Sequence, residues 1–143
     1  MSKSNATENS ILLLIFNGTA WADLAENDTT SPATNLYVAL HTADPTESGN
    51  ATSFEASYSG PYARQAVPRS GSGWTVTGNS VTNADLIQFP QSSSSQTLTH
   101  FSITTASSGT SPILYSGELS ASVPITSGGQ PQFTAGQITI TED

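Results

Sequence analysis

Leu36-Tyr37-Val38-Ala39-Leu40-His41-Thr42 sets the period of the chain. Leu36, Val38 and Leu40 fall on one side of an extended segment, and Tyr37, Ala39 and His41 on the other. That spacing of two belongs to a strand with two distinct faces and not to a helix. Asp44-Pro45 ends the run, because proline carries no N–H for a ladder and holds its φ near the turn value.

Downstream, residues 46–61 carry Gly49, Asn50, Gly60 and Pro61 with the isolated aromatics Phe54 and Tyr58. They read as a long ordered loop, and such loops in compact domains usually serve a purpose. Strand candidates follow at 62–68, 74–77, 80–82, 86–89, 98–105, 113–119, 122–125 and 132–141. Ser70-Gly71-Ser72-Gly73, Gly78-Asn79, Ser92–Ser95, Ser107-Ser108-Gly109 and Ser127-Gly128-Gly129 separate them. Short strands broken this often by turn residues predict an all-β fold, an antiparallel β-sandwich of jelly-roll type.

Upstream, Asn5-Ala6-Thr7-Glu8 offers a polar cap three residues before a carboxylate, the reciprocal arrangement that satisfies free donors at a helix start. One short N-terminal α-helix is expected, with 8–17 as its body, 1–7 as a flexible arm, and Asn17-Gly18 as its end. Ile11 to Phe16 are six consecutive apolar residues and cover the whole circumference. Such a helix is enclosed in the core or covered by another subunit. The run is too short for a membrane span, and Glu8 with no small-residue cleavage site after it argues against a signal peptide. Residues 20–25 suit a short helical turn, and Asn27 to Pro32 read as a loop. No linker or repeat divides the chain, which reads as one domain over 1–143 with its β-sandwich at 35–141.

The composition narrows function. Of 143 residues, 23 are Ser and 20 are Thr, whereas Asp, Glu, Lys and Arg together make 10%. Solubility therefore rests on hydroxyls and amides. Lys3, Arg64 and Arg69 are the only cations on a chain of formal charge −8. Too little positive charge is left to neutralise phosphates or to bind an anionic bilayer, so neither nucleic acid nor membrane is expected as a partner. With no cysteine there is no disulfide, thiolate metal site or Cys nucleophile.

Catalytic constellations are sparse. His41, Asp44 and His100 would be the raw material for a two-histidine, one-carboxylate metal site, but each His lies in a strand pattern where its ring can bond a backbone carbonyl. No G-x-S-x-G elbow accompanies the serines. Most acids lie in loops or at the termini, with only Glu55, Asp85 and Glu118 near strands. No catalytic, cofactor-binding or metal residue is assigned, and no enzyme activity is expected. Trp21, Trp74, Tyr58 and Tyr62 are the raw material for a sugar-stacking platform, yet aromatics in a thin-cored β-protein more often form its core. An Arg in the 62–68 strand suits bidentate pairing with a carboxylate, within the subunit or across an interface.

Several motifs occur in a recognisable order: Leu36 to Pro45, Tyr62-Ala63-Arg64, Asn79 and Asn83 before Phe89-Pro90, Thr99-His100-Phe101-Ser102-Ile103, and Leu114-Tyr115-Ser116-Gly117-Glu118-Leu119. In this order the chain resembles a widespread family of small virion proteins of tailed bacteriophages. Its members are often identified as tail fibre proteins, and they are similar to the head-decoration, or cement, proteins of HK97-type capsids. The resemblance implies a homotrimer on the outer surface of the capsid that binds the phage major capsid protein between capsomers and stabilises the shell, with no cofactor. The alternative is a tail fibre or spike module that binds a host-surface glycan. Interface candidates are Ile11, Leu12, Leu14 and Ile15 of the helix, Phe54 and Tyr58 of the long loop, and the cations Arg64 and Arg69.

Overall fold

The computed structural model describes residues 3–21, 25, 32–58 and 61–143. Among them are one helix, α1 (Asn5–Asn17), and nine strands: β1 (Asn35–His41), β2 (Gln65–Pro68), β3 (Trp74–Thr77), β4 (Ser80–Asn83), β5 (Ile87–Gln88), β6 (Gln96–Thr104), β7 (Ile113–Ile125), β8 (Gln132–Phe133) and β9 (Thr139–Thr141). The fold is all-β and antiparallel with one short helix, as the two-residue period predicts. Its strands form sheets of order β2-β1-β6-β7, β3-β4-β9 and β5-β8.

The chain divides into two compact units, each assembled from separated stretches of sequence: Met1–Asn35, Val67–Ile87 and Phe133–Asp143 in one, Leu36–Ala66 and Gln88–Gln132 in the other. A division of this kind leaves no linker for composition to reveal.

In the first unit, α1 lies against β3 and β4. It begins at Asn5 and not at residue 8, because Ser4 is the cap: its backbone is extended and its Oγ accepts the Thr7 N–H at 3.3 Å. The segment before residue 8 is therefore largely helical, and Lys3 is held by Glu142 Oε2 at 3.1 Å. Gly18 ends the helix in the left-handed conformation, φ 65°, and donates its N–H to Leu13 O. Despite the apolar circumference, only Glu8, Leu12 and Phe16 are buried, one stripe at four-residue spacing. Phe16 meets the Trp74 ring edge-on at 4.9 Å between centroids. The expected helical turn at 20–25 is absent at its described ends, where Trp21 and Ala25 instead exchange two backbone hydrogen bonds of 2.8 Å. Residues 22–24 and the loop expected at 27–31 lie outside the described residues.

The strand expected over 132–141 is two strands in different sheets. A turn at Gly136, φ 76°, separates them, and buried Asn83 fixes it. Asn83 Nδ2 donates to the Asp85 and Thr134 carbonyls at 2.8 Å each, its Oδ1 accepts Ile138 N–H at 2.9 Å, and its backbone O accepts Gly136 N–H at 2.8 Å.

In the second unit β1 is a central strand. Its alternation holds through Val38, but Ala39, Leu40 and His41 are all buried, so both faces are covered at that end. Val38 pairs with Ile103 and His41 with His100 on β6. The two strands expected at 113–119 and 122–125 are one continuous strand, β7, whose register slips opposite Thr99: Leu98 pairs with Val123 and His100 with Glu118. Gly117 lies there because a Cβ would stand 2.9 Å from the Phe101 ring.

Candidate functional site

The long loop after β1 is held by a buried polar network. Backbone bonds bring its return leg back to β1: Thr42 N–H donates to Phe54 O at 2.9 Å and Ala56 N–H to Leu40 O at 2.8 Å, so that Glu55 lies opposite His41. Glu55 receives Arg64 through two oxygens, Nε to Oε1 at 2.7 Å and Nη2 to Oε2 at 2.9 Å. Two further guanidinium donors go to the carbonyls of Ala106 at 2.9 Å and Gly109 at 2.8 Å. Tyr62 OH donates to Glu55 Oε1 at 3.1 Å and accepts Leu40 N–H at 3.0 Å. The hydrogen bonds to Glu55 are the main reason the Arg64 pKa lies above its usual value, and burial is the main reason the Tyr62 phenol is pushed up.

His41 lies beside this network. Nδ1 is 2.8 Å from Ser53 O, which can only accept, so Nδ1 carries the proton. Nε2, 2.8 Å from Ser102 Oγ, then accepts the hydroxyl proton. Burial lowers the His41 pKa below 6.5, with Arg64 and His100 adding to the effect and the Ser53 bond and Glu55 opposing it. A serine hydroxyl donating to a histidine whose other nitrogen is fixed has the polarity of a nucleophile and base. Both side chains are 0% exposed, however, so no substrate carbonyl can reach Ser102. Through its two nitrogens the His41 ring at the end of β1 links Ser53 of the loop to Ser102 of β6. His100 Nδ1 lies 2.9 Å from Thr99 Oγ1, and no group of acids and histidines suited to a metal occurs among the described residues.

The structure separates the interface candidates by exposure. Leu12, Tyr58 and Arg64 are enclosed within their own chain: Leu12 packs under α1, Tyr58 OH donates to Pro90 O at 3.1 Å, and Arg64 is spent on Glu55 and two carbonyls. Burial pushes the Tyr58 pKa up to about 12. Ile11, Leu14 and Ile15 are half-buried. Arg69 turns inward to the end of α1, its Nε donating to Ile15 O at 2.7 Å and its Nη2 to Leu14 O. Phe54 alone of the eight is open, at 59% exposure. Of the four large aromatics, Trp74 and Tyr58 are core residues, Trp21 is half-buried, and the Tyr62 ring stacks on Phe89 at 6.3 Å. Sequence reasoning singled out Arg64 for a carboxylate but not Glu55 as that partner. The proximity of Glu55 to His41 across the loop had no local signal.

Two comparisons bear on this geometry. No curated protein matches the chain by sequence. A family model described as podophage GP4 fiber I protein gp80 matches residues 2–141, nearly the whole chain, and so the chain belongs to that family of phage proteins.

Proposed function

We propose that this chain is a non-enzymatic structural subunit of a podophage fibre. The observation that carries the reading is the family match over residues 2–141, whose description is that of a fibre protein. The buried network supports it. The one histidine bonded to a serine hydroxyl is sealed from solvent, and the ionic groups of Glu55 and Arg64 are spent on fixing a loop. A capsid-decoration protein would share the structural role in the virion, but nothing in the family description points to the head, and we take the fibre reading in preference. Self-association into a trimer belongs to the same reading, since Ile11, Leu13, Leu14 and Ile15 leave α1 with apolar surface only half covered.

Gold-labelled antibody against the chain, applied to intact virions, tests the placement. Label at the tail is the expected result. Label over the head faces, with earlier DNA release on heating from particles lacking the chain, would establish the cement role instead. Sedimentation of the purified chain at 14.8 kDa would argue against self-association.

A further inference from the structure

Phe54 combines two features that folding by itself disfavours. It is the most exposed large apolar side chain among the described residues, at 59%, and its backbone sits at φ 52°, the left-handed region that a side chain with a Cβ rarely adopts. The loop holds it there. Phe54 O accepts Thr42 N–H at 2.9 Å and Thr42 Oγ1 at 3.2 Å, while Ser53 before it is bonded to His41 and Glu55 after it to Arg64. Backbone strain maintained by rigid neighbours, with an apolar ring turned to solvent at the same residue, is the observation on which a role outside folding rests.

We propose that Phe54 is an anchor residue that inserts into an apolar pocket, rimmed by basic side chains, on another protein of the particle; this rests on the reading of the chain as a virion subunit. The loop selects that partner chemistry. A sugar is held by several directed hydrogen bonds around the stacked ring, and the neighbouring hydroxyls are already partly engaged within the loop: Thr52 Oγ1 donates to Asn50 Oδ1 at 2.6 Å, Ser53 Oγ accepts Asn50 N–H at 3.0 Å, and Thr46 and Ser48 share a bond of 3.3 Å. Residues 42–58 contain no Lys or Arg, whereas Asp44 and Glu47 are exposed. A basic rim complements them. A second copy of this chain is a poor source of it, because its three cations are already engaged: Lys3 with Glu142, Arg64 with Glu55, and Arg69 with carbonyls of α1.

The test is a phage encoding Phe54→Asn, with the chain in purified particles quantified by mass spectrometry against the major capsid protein. Asparagine tolerates the left-handed backbone, so the soluble variant should melt at the wild-type temperature or above. A loss of about ten-fold or more in incorporation with that melting temperature is expected, in line with removal of a central aromatic anchor. Glu47→Lys should lower incorporation several-fold, and unchanged incorporation would overturn the basic rim. Equal incorporation of Phe54→Asn overturns the anchor and leaves the virion reading standing, whereas particles without the wild-type chain overturn both. A lowered melting temperature would assign Phe54 to folding and overturn the proposal. So would wild-type chain retained on a carbohydrate array that does not retain Phe54→Asn, in favour of a sugar.

Discussion

Arg64 grips Glu55 with a two-point contact, Nε to Oε1 at 2.7 Å and Nη2 to Oε2 at 2.9 Å, and the Arg64 side chain is 1% exposed against 17% for Glu55. The pair joins the segment before β2 to the loop after β1. Two carbonyls and a tyrosine hydroxyl complete its hydrogen bonding, which is what makes a desolvated ion pair tolerable.

Arg64→Met should therefore destabilise the chain by about 3–5 kcal/mol, since it leaves the Glu55 carboxylate without its cation. Adding Glu55→Gln should restore part of that loss, because the pair acts as one unit. Urea denaturation of the single and double variants measures both. Arg64→Lys should not substitute, because a single ammonium cannot span both oxygens and both carbonyls.

His41 predicts an acid-sensitive loop. Burial holds its pKa below 6.5, so at higher pH the ring is neutral in both folded and unfolded chains and has no effect on the pH dependence. As pH falls below 6.5 the unfolded chain takes up a proton first, and stability is lost until the folded pKa is passed. Each unit of depression corresponds to about 1.4 kcal/mol. Melting temperatures measured from about pH 7.5 to 5 should fall in the wild type and fall less in His41→Asn. The Glu55, Arg64 and His100 charges act on the same ring, and because His100 is one of the groups lowering the His41 pKa, His100→Asn should flatten the slope slightly and by less than His41→Asn does.

Gly49 tests how firmly the loop is set. A Cβ there would stand 1.8 Å from Pro45 O, a backbone atom with no flexible end to swing aside. Gly49→Ala should lower stability by about 2–3 kcal/mol, with faster exchange of the Ala51 and Ala56 amides, which bond Ser111 O and Leu40 O.

Arg69 supplies the cation that the last turn of α1 lacks. Its donors reach Ile15 O at 2.7 Å and Leu14 O, two of the carbonyls a helix leaves open at its end. Arg69→Met should weaken α1 by about 1–2 kcal/mol, read as reduced helical ellipticity at intermediate temperature and faster exchange over the last turn.

The sequence alone determined what rests on neighbours along the chain. The alternation of Leu36, Val38 and Leu40 identified β1, because a two-residue period is a property of one extended segment. Gly18 closed α1, and Gly78-Asn79 turned β3 into β4, because those conformations are local. Motif order carried the chain to a phage virion family. Tertiary structure decided the rest. Which cap starts α1 depended on whether Ser4 or Asn5 held the extended backbone, and which side of an apolar helix is buried depended on where Trp74 stands. The strand expected over 132–141 was broken by Asn83, more than fifty residues away. Arg64 found its carboxylate, and Phe54 its exposed and strained place, only when the 46–58 loop closed on β1 and β6. Those bonds join residues far apart in sequence, and no local period records them.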